Sequence, residues 1–332
     1  MKTQILGLKK YFSYDLTVAA ILVVMIVVIT LINPAFLSLS NIFDLLKSSV
    51  VMGIMAIGVL IVLISGGIDI SFTAIAAFSM YVTTMLLTGS SYADAWEIVL
   101  ILSGLIGIIL GLFNAVFISF FNLPTLIVTL GTASIFRGFL LAFVGTSVIT
   151  NIPQGMIKLS RMTLWDQVLP TGEHIGLSVT VLFMIGLGIL TWFLLKHTLT
   201  GRGIYALGGA PAAARRIGFN INRLQYFIYG LVGFLSGIAG IIHASIMRNA
   251  NPFDLVGTEL LVIAAVVLGG ASITGGRGSI IGTILGVLIL VIINNSLILL
   301  GISTTWQRVA VGLVIIASTA VSARHTHLIK DF

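Results

Sequence analysis

Residues 97–120 read EIVLILSGLIGIILGLFNAVFISF, and beyond Glu97 the stretch carries no charge. As a helix rising about 1.5 Å per residue, it is longer than the roughly 30 Å hydrocarbon core of a bilayer. Runs of the same kind recur at 16–32, 48–65, 70–88, 125–144, 176–195, 223–246, 258–272, 279–300 and 305–322. Of the 332 residues, 58% are hydrophobic and 8% charged, where a soluble domain carries about 25% charged residues. The chain reads as an all-α integral membrane protein of about ten transmembrane helices, one polytopic domain over 1–332 with its core at 40–322.

Two of the runs are weaker than the rest. The third and the eighth abut the glycine pairs Gly66-Gly67 and Gly269-Gly270, and are expected to be broken or re-entrant, which is tolerated only where protein or a water-filled cavity covers the backbone. The lysines before the first run resemble a signal peptide, but the run is long and lacks a small-residue cleavage pattern, so it reads as a retained span. Without cysteine there is no disulfide or iron-sulfur framework.

The net charge of +7 is spent on topology, which makes membrane lipid an expected partner and nucleic acid not. With the N-terminus inside and ten spans, eleven lysines and arginines fall on the inner segments and five on the outer ones. Positive residues favour the cytoplasmic side, so both termini are expected in the cytoplasm. The longest outer connection is 145–175 and the longest inner one 196–222.

The inner connection contains HTLTGRGIYALGGAPAAARRIGFNIN at 197–222, with Arg202, Gly208, Gly209, Pro211, Arg215, Arg216 and Gly218. Proline suits the first position of a helix and glycine the residue just past its end. Between Pro211 and Gly218 lie good helix formers with both arginines in the last turn, where they favour the helix dipole. A helix over 211–217 is too short to stand alone. It needs a docking partner, either this chain's own helix ends or another protein.

RGIYALGGAPAAARRIGFN resembles the cytoplasmic coupling loop of the permease subunits of ATP-binding-cassette importers for simple sugars, the ribose, xylose and galactose group. Three further motifs of that family are matched in order. Gly66, Gly67, Ile68, Asp69, Ile70 and Ser71 match its GGID segment, and Pro124, Thr129, Leu130, Gly131, Arg137 and Gly138 match a Pro…Thr-Leu-Gly segment followed by Arg-Gly. Val267, Gly269, Gly270, Ser272, Gly275, Gly276, Arg277, Gly278, Ser279, Gly282 and Thr283 match the last. Phe72-Thr73 replace the usual Val-Gly, and Ala210 replaces the asparagine after Gly209.

The resemblance implies a vitamin B12 permease-like, type II importer architecture and a second permease copy, identical or paralogous. It also implies a cytoplasmic ATPase that holds ATP and Mg²⁺, docked on the inner loop, and an extracytoplasmic sugar-binding protein. Binding-protein contacts are expected on 145–175 and on the loop from Arg248 to Asp254. Cofactors are expected on the ATPase and none on this chain.

A phosphate-binding loop needs a lysine ahead of its last Ser or Thr; the nearest approach, from Gly270, has Gly276 there. The five histidines offer no metal spacing and no catalytic constellation stands out, so this chain is not expected to be an enzyme. Asp69 reads either as a cap for the third span or as a pathway residue. Ser71, Asn114, Asn294, Asn295 and Gln307, with Ser296, are the neutral polar groups suited to a hydroxyl-rich solute, each alternatively a bond between helices. Arg137 reads as structural, paired with an acid or with backbone carbonyls. Rival readings are an ion-coupled secondary transporter, which needs titratable groups in the membrane, and a membrane enzyme acting on lipid, which needs an interfacial acid or histidine cluster.

Overall fold

The computed structural model describes residues 2–168 and 174–299, together with Trp306, Val309, Gly312 and Leu313. The run at 305–322, with Gln307, lies outside the described residues but for those four. In chain order the helices are α1 (Lys2–Ile32), α2 (Leu39–Ile64), α3 (Phe72–Leu87), α4 (Trp96–Phe120), α5 (Thr125–Phe139) and α6 (Gln154–Arg161). A two-stranded hairpin of β1 (Thr163–Val168) and β2 (His174–Ser178) precedes α7 (Thr180–His197), α8 (Leu199–Gly209), α9 (Pro211–Arg216), α10 (Ile221–Met247), α11 (Glu259–Leu268) and α12 (Ile280–Leu299).

Seven helices among the described residues are long and apolar enough to cross a membrane: those of α1, α2, α4, α5 with the turn after it, α7, α10 and α12. The weak third and eighth runs become the shorter helices α3 and α11. Both glycine pairs end helices. After α2, Gly66 at φ +83° donates to Leu63 O and Gly67 to Val62 O; after α11, Gly270 at φ +93° donates to Val267 O and Ala271 to Val266 O. This double closure satisfies the last carbonyls of a helix and favours glycine at the left-handed residue.

At the centre of the bundle α10 packs on α4, α3 and α2, while α1, α5 and α7 lie at its edge with most of their surface uncovered. The α4–α10 seam is built from small residues one turn apart: Ser103, Gly107 and Gly111 face Gly237, Gly233 and the Tyr229 carbonyl, so close that a β-carbon on Gly107 or Gly233 would strike the opposing backbone. Ser103 Oγ donates to Gly237 O at 2.7 Å. The glycines of this seam are thus explained by close helix packing.

Two connections hold more structure than expected. The segment at 145–175 folds into α6 and the start of the hairpin, a small β element in an otherwise helical chain. In the 196–222 connection only 211–217 carries helix signals, yet Leu199–Gly209 is helical as well. Its glycines are poor helix formers. Burial of Gly201, Gly203, Ile204 and Leu207 against the bundle overrides that preference. Because α7 links the hairpin to α8, these two features mark opposite ends of the molecule.

Candidate functional site: a coupling arm joined to a re-entrant segment

The arm begins at Thr198, whose hydroxyl accepts from Gly201 N at 3.0 Å and caps α8. Tyr205 Oη donates to Gly278 O at 2.9 Å, tying α8 to the turn before α12. The chain then turns at Ala210 into α9, with Pro211 in its first turn as expected. Gly218, at φ +96°, donates to Arg215 O, and Phe219 donates to Ala214 O, the same double closure that ends α2 and α11. Only Ala214 of α9 is buried; Pro211, Arg215 and Arg216 are exposed, as is Ile217 at 71%. Arg202 is exposed on α8. The arm therefore offers basic and apolar groups to a partner while being anchored from behind.

Three glycine pairs distant in sequence meet behind it. Gly276 N donates to Ile64 O at 2.8 Å, and Gly208 lies against that bond. A β-carbon on Gly208 would collide with the Ile64 carbonyl and stand 2.6 Å from Gly276 N; one on Gly275 would stand 2.8 Å from the Gly66 Cα and 2.7 Å from the Gly208 oxygen. Gly209 is different, exposed and with open space where its β-carbon would go. The Gly276 amide, which a phosphate loop would offer to a ligand, is spent on Ile64. Arg277 stays exposed while its carbonyl accepts from Ser272 N.

From Gly66 the chain runs non-helically to Ser71 inside the bundle, and its polar backbone needs partners there. Thr125 Oγ1 on α5 accepts from Ile68 N at 3.0 Å; Thr129, one turn on, accepts from Ile70 N at 3.4 Å. The match is geometric, since residues four apart on a helix are about 6 Å apart and alternate residues of an extended chain about 6.6 Å. Gly67 is where Tyr229 of α10 and Thr125 close on the segment. Asp69, Ser71 and Asn114 are fully buried together. Asn114 Nδ2 donates to Ser71 Oγ at 2.7 Å, and Ser71 donates through both N and Oγ to Asp69 Oδ1, each at 2.7 Å. Asp69 thus holds Ser71, the residue just before α3, through Oδ1, while its Oδ2 is buried with no hydrogen-bond partner among the described residues.

A cavity of about 440 Å³ opens beside this segment, lined by Gly66, Ile68, Asn122, Pro124, Thr125 and Gln225 among others. Asn294 and Asn295, half-buried near the far end of α12, share no hydrogen bond with the Asp69 group; Ser296 beside them is buried. Sequence reasoning missed the threonine pair as backbone partners, though its four-residue spacing after Pro124 was the signal. It also missed the bond from Thr73 to Glu259 Oε1, which with the 2.9 Å bond from Gly257 N ties the start of α3 to the start of α11. Arg137 departs from expectation. It is exposed, and among the described residues no acid or carbonyl bonds its side chain and no other element covers that face of α5.

Seven long apolar helices among the described residues define a polytopic membrane protein, and comparison with known proteins identifies the kind. Residues 41–319 match the family described as branched-chain amino acid transport system / permease component. The ribose import permease protein RbsC of Escherichia coli (strain K12) is 32% identical over 326 residues, 97% of this chain and 98% of that one. RbsC of Bacillus subtilis (strain 168) is 36% identical over 304 residues, 91% of each chain. The autoinducer 2 import system permease protein LsrD of Photorhabdus laumondii subsp. laumondii is 31% identical over 331 residues, 97% of this chain and 95% of that one. No solved structure matches. The chain belongs to this family of transport-system permease components. It is a transport subunit and not an enzyme, and ATP hydrolysis falls to a separate ATPase.

Proposed function

We propose that this chain is the permease subunit of an ATP-driven importer that carries a monosaccharide, a ribose-type pentose or a hexose, or a related sugar-like solute into the cytoplasm by alternating access. Two copies, or this chain and a paralogous permease, line one route. A cytoplasmic ATPase, itself holding ATP and Mg²⁺, docks on α9. An extracytoplasmic binding protein delivers solute at the opposite end, where the hairpin and the loop from Arg248 to Asp254 lie. The arm is then in the cytoplasm with both termini, in the cell membrane of a bacterium.

The observation that carries this reading is the anchoring of the arm. Its exposed basic and apolar groups suit docking, and Gly208 presses it on the Ile64 carbonyl, two residues before the segment that holds Asp69. Displacement of α9 then reaches the bundle through the short Gly209-Ala210 turn and the backbone contact of Gly208 with Ile64. The solute class is supported by the relatives, whose names give ribose and autoinducer 2. An ion-coupled mechanism would need a titrating group in the membrane, and the two candidates, Asp69 and Glu259, are both held in hydrogen bonds to neighbouring hydroxyl and backbone groups.

The test is solute-stimulated ATP hydrolysis by the complex of permease, ATPase and binding protein. Exchanging Arg215 and Arg216 for Glu reverses the charge of two exposed residues whose side chains make no hydrogen bond or ion pair among the described residues. The reading expects stimulation to fall about tenfold or more, equivalent to about 1.4 kcal/mol of coupling, with the permease still folded. Unchanged stimulation would refute docking on α9.

A further inference from the structure

The uncovered helix faces differ in chemistry. On α4 they carry Ile101, Leu105 and Ile109 and on α7 Leu182, Ile185 and Ile189, the surface expected against lipid. The uncovered face of α5 carries exposed Ile127, Leu130 and Ile135 as well, but interleaved with them are Gly131, Ser134, Arg137 and Gly138. Arg137 lies well inside the span Thr125–Val144, about 10 Å short of its end at 1.5 Å per residue. Side chains on a helix lean toward its N-terminus, so the guanidinium leans toward the middle of the membrane and away from the nearer interface. A permanently charged group at that depth, with no ion pair or hydrogen bond among the described residues, is costly against lipid and is more often found facing a bundle interior or a water-filled cavity. Three residues on, the helix widens into a π turn over Leu140–Val144, a distortion found often at functional sites.

We propose that this face of α5 looks onto the water-filled translocation route, and that the Arg137 guanidinium is a hydrogen-bond donor to the hydroxyls of the passing solute. Guanidinium suits the task. It presents five N–H groups in a planar fork and keeps its charge at any physiological pH, so it can bond oxygen acceptors on a neutral polyol without exchanging a proton. The inference rests on the permease reading, and it adds a solute-contacting residue on a face that the buried Asp69 group does not reach.

The chain has no cysteine, which makes single thiols clean reporters. In the assembled importer in membranes, Ser134→Cys is treated with membrane-impermeant anionic and cationic methanethiosulfonates, which react with a thiolate in water. Ile109→Cys and Ile185→Cys serve as lipid-facing controls. The expected result is modification of Ser134→Cys and not of the controls. The anionic reagent should be favoured by about fivefold over its ratio at an exposed loop thiol, through the field of Arg137, and the preference should vanish when Arg137→Gln is added. Ribose with its binding protein should slow the modification. For uptake, Arg137→Gln should raise the half-saturating ribose concentration about tenfold, with partial recovery in Arg137→Lys, as expected for a lost hydrogen-bond donor.

A Ser134→Cys thiol that stays unreactive in every state, or that only cross-links to the second copy, would overturn the inference. So would a reagent preference unchanged by Arg137→Gln, or an unaltered ribose dependence of uptake. Should Arg137→Gln fail to assemble, the accessibility of Ser134→Cys with Arg137 intact still decides. If the thiol is modified but no sugar protects it or is taken up, the aqueous face stands and the sugar reading falls.

Discussion

At the scale of single residues, the Asp69 segment is held by side chains that stand in for missing secondary structure. Thr125→Val removes the acceptor for Ile68 N in a part-buried place, which costs about 1–3 kcal/mol. The permease should melt at lower temperature in detergent, and Thr125→Ser should restore it. Asp69 gives a sharper contrast. Its Oδ1 accepts two bonds from Ser71, and Asn keeps that oxygen. Asp69→Asn should therefore sustain uptake where Asp69→Ala loses both stability and uptake. Were Asp69→Asn to fold normally and carry nothing, a titrating carboxylate would be required and the ion-coupled rival would gain. From the sequence Asp69 was legible as either cap or pathway group; its bonds to Ser71 were not. The exposure of Arg137 was not legible, because hydropathy reports depth and not the direction a helix face looks.

At the scale of elements, the junction of α8 with the ends of α2 and the 275–276 turn makes a prediction that separates neighbouring glycines. Gly208→Ala drives a β-carbon into the Ile64 carbonyl, whereas Gly209→Ala enters open space. Solute-stimulated ATP hydrolysis and uptake should fall about tenfold in the first, at least 1.4 kcal/mol of lost coupling, and hold in the second. Equal behaviour of the two would mean that the junction transmits nothing. The α9 helix was readable from Pro211 and Gly218 because its signals are local. The convergence of Gly66, Gly208 and Gly275 was not, since close approach between segments so far apart in sequence leaves no periodicity. Residues 199–209 were missed as helix for a related reason: packing, and not propensity, holds them.

For the whole molecule, the seven long helices were legible because lipid demands continuous apolar length, and the short α3 and α11 announced themselves by the glycine pairs that flank them. The arrangement joins an exposed arm at one end to a buried polar segment in the bundle and a charged face on α5. On the proposed reading, that layout would let force applied from the ATPase side open a solute route. The measurement that bears on it most directly is accumulation of labelled ribose by sealed proteoliposomes holding this permease and its ATPase, with binding protein on the outside. The account expects accumulation that requires ATP within the vesicles and persists when an ionophore dissipates ion gradients. Accumulation that continues without nucleotide or ATPase and collapses with the ionophore would contradict it.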